Sequence, residues 1–279
     1  MPICFTGKAY GQPVYKLLGG AVRDKIRMYS HFGTSPEEAK EKVARGFTAL
    51  KCTPDGPALP VESTKHIDKM VQEFAALRDA IGYEIDLAID FHGRYSPAAA
   101  KQLIKEIEYL RPYFIEEPVL PEYTEALKNI SEFTHIPIAT GERLFSKWDF
   151  KQLLVDGSTA VWQPDLSHAG GILECKKIAA MAECNFASIA PHCPLGPVAL
   201  AACFQLDACT PNFLIQEHFT LGDGFIKEPF VLDEDGYVPL PDKPGLGVDV
   251  DEDYLKANAF DGDWECPRYF HEDGSIADW

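Results

Sequence analysis

Between residues 26 and 217 a short apolar run ending in a polar residue recurs eight times. The runs are IRMYSH (26–31), TALKC (48–52), LAIDFH (87–92), YFIEEP (113–118), IPIATGE (136–142), AVWQPD (160–165), FASIAPH (186–192) and FLIQE (213–217). Amphipathic stretches lie between them: PEEAKEKVARG, SPAAAKQLIKEIEYL, EYTEALKNISEF, SKWDFKQLLVDG and GILECKKIAAMAECN. A glycine or a capping residue punctuates most of these. Short apolar strands alternating with helices predict a parallel sheet with helical crossovers. Eight such units predict the α/β class and a TIM-like (β/α) barrel, whose usual length of ~250 residues suits this chain. An open doubly wound sheet is the rival. It more often carries a glycine-rich phosphate loop after an early strand, and none is present.

The polar residues that end the runs are His31, Lys51, Asp90, Glu116, Glu142, Asp165, His192 and Glu217. They are 20, 39, 26, 26, 23, 27 and 25 residues apart, so all gaps but one are near the length of a single βα unit. The long gap holds a Pro/Gly-rich loop, TPDGPALP, which follows a strand and so belongs on the catalytic face. A barrel of this kind places its active site at the carboxyl ends of its strands, where these residues stand. Along the third strand, alternation puts positions 86, 88, 90 and 92 on one face, so Asp90 and His92 point the same way. In FIEEP the same rule puts Glu116 inward and Glu117 opposite.

Asp90, Glu116 and Glu142 end three successive strands. Oxygen ligands from three strands suit a hard cation, Mg²⁺ by default with Mn²⁺ as the alternative. Without a cation, three converging carboxylates repel one another and one takes a proton. The structural alternative is pairing with Lys51, Arg94 or Arg143, which are also the cationic candidates for holding a substrate. His92 and His192 flank the acids. Asp165 ends the strand next to that of His192, and an Asp–His pair fixes the imidazole tautomer and raises its basicity.

Composition narrows the function. The formal net charge of −17 argues against a nucleic-acid partner. No apolar run of 18 residues is present, so no membrane span is expected. The eight cysteines, Cys4, Cys52, Cys175, Cys184, Cys193, Cys203, Cys209 and Cys266, include no CxxC pair. They read as free thiols of a reducing, cytoplasmic compartment.

IDFHGR, FIEEPV, ATGERLFSKWDF, QPDLSHAGGI, APHCPLGP, IQE and KPGLGVDVDE together resemble the enolase superfamily, in its mandelate-racemase-like branch near the sugar-acid dehydratases. The resemblance runs from about residue 7 to the C-terminus. It implies Asp90, Glu116 and Glu142 as Mg²⁺ ligands. It implies His192, oriented by Asp165, as the base that removes the proton α to a carboxylate. His92 becomes the acid that protonates the departing β-hydroxyl, and Glu217 the hydrogen-bond partner of the developing enolate. The substrate is then a small anionic sugar acid, and the product a 2-keto-3-deoxy acid. Racemases and cycloisomerases of the superfamily place Lys-x-Lys at the end of the second strand. Here LKCT has Thr53 two positions after Lys51, which favours His192 as base and leaves Lys51 to orient the substrate or balance charge.

Superfamily members carry an α+β capping domain before the barrel. Residues 1–25 resemble only the helix leading out of it, 26–245 the barrel, and 246–279 the C-terminal segment that packs beside it. A largely absent cap leaves apolar surface open, and a homo-oligomer is expected. Another sugar-acid dehydratase, an epimerase or a racemase stays open as an alternative function. So does a barrel that binds metal without turnover.

Overall fold

The computed structural model describes residues 2–265 and 268–277. Every predicted run contains a strand: β1 (Lys25–Phe32), β2 (Ala49–Cys52), β3 (Asp86–Asp90), β4 (Ile115–Glu116), β5 (Ile138–Thr140), β6 (Val161–Trp162), β7 (Ser188–Ile189) and β8 (Gln216–Glu217). Helices alternate with them, so the class is α/β. The chain forms two compact units, and it passes between them within β1, after β5, at the helix Lys151–Asp156, within β6 and near residue 261.

One unit comprises residues 31–140, 152–161 and 262–279. Its strands β2, β3, β4 and β5 run parallel in chain order, with Lys51 opposite Ala88, Asp90 opposite Glu116 and Glu116 opposite Ala139. Helices Pro36–Ala44, Thr64–Ile81 and Pro97–Ile107 each begin after a serine whose hydroxyl accepts a backbone N–H: Ser35 from Glu38, Ser63 from His66 and Ser96 from Ala99. These caps satisfy N–H groups that lack a helical partner. Ile67, Met70, Phe74 and Leu77 share one helical face and are buried. The guanidinium of Arg78, on the same helix, donates to the carbonyls of Leu110, Gly82 and Ile85, which fixes the turn into β3.

The other unit comprises residues 1–30, 141–151 and 162–261. Within it, the Ala190 N–H donates to Trp162 O and the Leu214 N–H to Ile189 O. β1 pairs parallel with β8, Met28 opposite Gln216, and antiparallel with Tyr237–Pro239. The helix Pro197–Ala208 has nine buried residues of twelve.

Between β1 and β8, two helices lie outside the predicted set. Thr64–Ile81 is a full helix behind the long loop. Pro197–Ala208 is mostly buried, and the positions left open, Val198, Ala199 and Ala202, are themselves apolar, so it shows no helical period. The stretch SKWDFKQLLVDG forms only the short helix Lys151–Asp156. Among the described residues, no helix is long and apolar enough to cross a membrane.

Candidate active site

In the first unit, register places Asp90 and Glu116 side by side on β3 and β4. Both are buried. The Lys51 ammonium, reaching over from β2, lies 2.8 Å from Glu116 Oε1 and 3.7 Å from Asp90 Oδ2. The pair therefore already shares one cation, the ammonium. Its all-oxygen donor set also suits a hard metal ion. Lys51 thus forms an ion pair with both carboxylates. The Thr53 hydroxyl lies 3.5 Å from Asp90 Oδ2, and His31 Nε2 lies 2.9 Å from that hydroxyl. The sequence had given Thr53 no role. Its cue was its place two residues after Lys51, on the same face.

His92 requires a correction to the alternation rule. β3 ends at Asp90, and His92 has a left-handed backbone, φ 53°. Asp90 Oδ1 accepts the His92 backbone N–H at 2.7 Å. A ring nitrogen of His92 still lies within 4.8 Å of an Asp90 oxygen. A turn, and not the pleat, makes them neighbours. Glu117 likewise turns left-handed, φ 38°, and is buried like Glu116, so alternation stops there too. Side chains held at such φ values cost energy that the surroundings must offset. Arg94 donates to Pro54 O at 2.6 Å and lies over the Tyr269 ring.

In the second unit, the structure brings Glu142, Asp165, His192 and Glu217 together. His192 Nδ1 lies 2.9 Å from Asp165 Oδ2. Asp165 Oδ1 accepts the backbone N–H groups of Ser167 at 2.7 Å and His168 at 3.3 Å. The carboxylate is thus locked, and it holds the proton on Nδ1. The opposite ring nitrogen, Nε2, lies 3.2 Å from Glu142 Oε2 and 4.0 Å from Glu217 Oε2. With Nδ1 turned to Asp165, Nε2 is the ring nitrogen left to exchange a proton, and Glu142 Oε2 is its near neighbour. Glu217 Oε2 also accepts the Cys193 N–H at 3.1 Å. His168, three residues after Asp165, lies 3.7 Å from its carboxylate. Sequence reasoning had passed over it, although the i,i+3 spacing was visible. Arg143 is half-buried next to Glu142 in the chain.

Gly141 explains how Glu142 is placed. Its φ is +144°, and a Cβ there would meet Gln163 N at 2.8 Å and Phe150 Cε1 at 3.0 Å. Only glycine lets the backbone pass so close.

A carboxylate pair and a carboxylate-backed imidazole at or just beyond the ends of parallel strands in an α/β protein are groups that can carry acid–base chemistry. The chain belongs to the enolase C-terminal domain-like family, whose profile matches residues 35–254, and its fold class is the TIM-like (β/α) barrel of the enolase superfamily. It is 45% identical to proteins named D-galactonate dehydratase from Pectobacterium atrosepticum and Ralstonia pickettii, over 98% of this chain and 75% of each relative. Among solved structures, a mandelate racemase/muconate lactonizing enzyme from Sulfitobacter sp. aligns with a TM-score of 0.87 and 37% identity, over 94% of this chain and 71% of that one. An enolase superfamily member from Salmonella Typhimurium aligns with a TM-score of 0.83 and 30% identity, over 91% and 73%.

Proposed function

We propose that the protein dehydrates a sugar acid, D-galactonate foremost, to a 2-keto-3-deoxy acid. The observation that carries the reading is the Asp165–His192 pair, whose outward Nε2 lies beside Glu142, in a chain 45% identical to D-galactonate dehydratases. We take the two half-sets of residues to serve one reaction, all of it carried by residues 26–245.

The proton α to a carboxylate is weakly acidic, because its removal spreads a second negative charge over that carboxylate. His192 Nε2 takes this proton while Asp165 stabilises the imidazolium at Nδ1. The electron pair forms the double bond as the β-hydroxyl leaves. Hydroxide is a poor leaving group, so His92 delivers a proton and water departs. The resulting enol tautomerises to the ketone. Glu217 lies on the His192 side, where its carboxyl, in the protonated form, donates a hydrogen bond to the developing enolate oxygen. Lys51 keeps the pocket of Asp90 and Glu116 from repelling an anionic substrate.

Asp90, Glu116 and Glu142 are the residues that would hold a divalent cation, Mg²⁺ by preference. When bound, such an ion neutralises developing carboxylate charge, worth several kcal/mol of barrier. The shared Lys51 contact supports cation binding at the first two.

The test is α-proton exchange in D₂O with Mg²⁺ and D-galactonate, beside formation of the keto product. His192→Asn is expected to abolish both. His92→Asn is expected to keep exchange and lose dehydration. A His92 variant that dehydrates normally, or a His192 variant that still exchanges, overturns this division of roles. Interconversion of two sugar acids without loss of water would point to an epimerase instead.

A further inference from the structure

Residues 190–196 carry His192 and form neither strand nor helix. Pro191 and Cys193, on either side of it, are nonetheless buried. A buried irregular backbone has no ladder to satisfy its polar groups, so side chains must do so. Three consecutive residues at the end of β8 supply them. Gln216 Nε2 donates to Pro191 O at 3.0 Å. Glu217 Oε2 accepts the Cys193 N–H at 3.1 Å. His218 Nε2 donates to Leu195 O at 2.9 Å. The grip falls on residues 191, 193 and 195, with His192 between the first two.

All three gripping side chains are at most 1% exposed. A buried row of glutamine, glutamate and histidine is costly unless each polar group is used. The His218 ring is itself fixed. Its Nδ1 accepts the Leu221 N–H at 3.0 Å and the Thr220 N–H at 3.3 Å. Nδ1 accepts, so Nε2 must carry the proton that goes to Leu195. Burial lowers the pKa of this imidazole, which accords with a neutral ring.

The geometry points to Gln216 and His218 as positioning residues that, with Glu217, hold the His192 segment at alternate residues and so set the imidazole against Asp165. This deepens the function proposed above and rests on His192 being the base. A role limited to satisfying buried backbone would show as lost stability alone. A positioning role shows in the state of the His192 ring and in kcat.

Two variants remove a grip each: His218→Leu and Gln216→Met. His218→Gln keeps one donor and one acceptor and serves as the conservative rescue. The full Mg²⁺-loaded chain is assayed for kcat and KM on D-galactonate. Separately, ¹⁵N NMR without substrate follows the His192 Nδ1–H engaged with Asp165. Each loss variant is expected to lower kcat about ten- to hundredfold, the scale of a misplacement of about 1 Å. KM is expected to stay within about twofold. The His192 Nδ1–H signal is expected to shift or broaden, with recovery in His218→Gln. If wild type turns over no sugar acid, the proposed function fails, and the NMR comparison still decides the positioning. An unchanged His192 signal in folded His218→Leu, or in Gln216→Met where the former does not fold, overturns the inference.

Discussion

Lys51 is a single buried positive charge facing two carboxylates, with neither bulk water nor salt to screen it. Removing one partner of a buried ion pair leaves uncompensated charge and typically costs about 3–5 kcal/mol. Lys51→Met is therefore expected to lose about that much in urea unfolding without metal. Millimolar Mg²⁺ is expected to restore part of the loss, because a divalent ion binds only the folded pair and stabilises it by mass action. An equal loss with and without Mg²⁺ would separate Lys51 from the cation site. Asp207 presents the opposite problem, a buried carboxyl whose oxygens have no hydrogen-bond partner among the described residues. Burial pushes its pKa well above the ordinary carboxylate range, and nearby Arg23 offsets this only in part. The folded state thus binds a proton that the unfolded state releases once pH passes the ordinary carboxyl value. Stability from this group falls as pH rises from there towards its folded pKa. Asp207→Asn is expected to flatten that decline, as read from urea midpoints between pH 4 and 8. A variant with an unchanged pH slope would mean that Asp207 titrates normally.

Among the elements, the short strands matter less for their length than for what ends them. β3 stops where Asp90 captures the His92 N–H, and β5 passes into Glu142 through Gly141. Gly141→Ala forces a Cβ against the backbone at 163 and the ring of Phe150. Backbone strain and overpacking of this kind each cost about 1–3 kcal/mol. A loss of about 2–4 kcal/mol is expected in chemical denaturation, with weaker activity because Glu142 and His192 share a contact. Stability and activity both near wild type would show that the chain relaxes around the added methyl group.

For the whole molecule, stability rests on apolar burial and not on covalent links. The described cysteines are all free, and five of them, Cys52, Cys175, Cys193, Cys203 and Cys209, are buried. Burial pushes the Cys175 thiol up to about 12, so it stays protonated and unreactive at neutral pH. Unfolding midpoints are expected to be the same with and without a thiol reductant. A midpoint lowered by reductant would reveal a disulfide in the native protein.

The eight strands, most of the helices between β1 and β8, and the acidic and imidazole residues that follow the strands were legible because each rests on local information. Apolar period marks a strand, a cap residue marks a helix start, and a polar residue closing an apolar run marks a strand end. The helix Pro197–Ala208 was not legible, because it is mostly buried and its open positions, Val198, Ala199 and Ala202, are apolar too, so no polar face marks the period. The pairing of Lys51 with Asp90 and Glu116 was open in the sequence, and only register between β2, β3 and β4 brings the three side chains together. Alternation placed Asp90 but not His92, because a single left-handed residue turns the chain in a way no period foretells. The grip of Gln216, Glu217 and His218 on the His192 segment was invisible for a similar reason. It joins residues about two dozen positions apart in the chain, brought together only when β7 and β8 pack side by side.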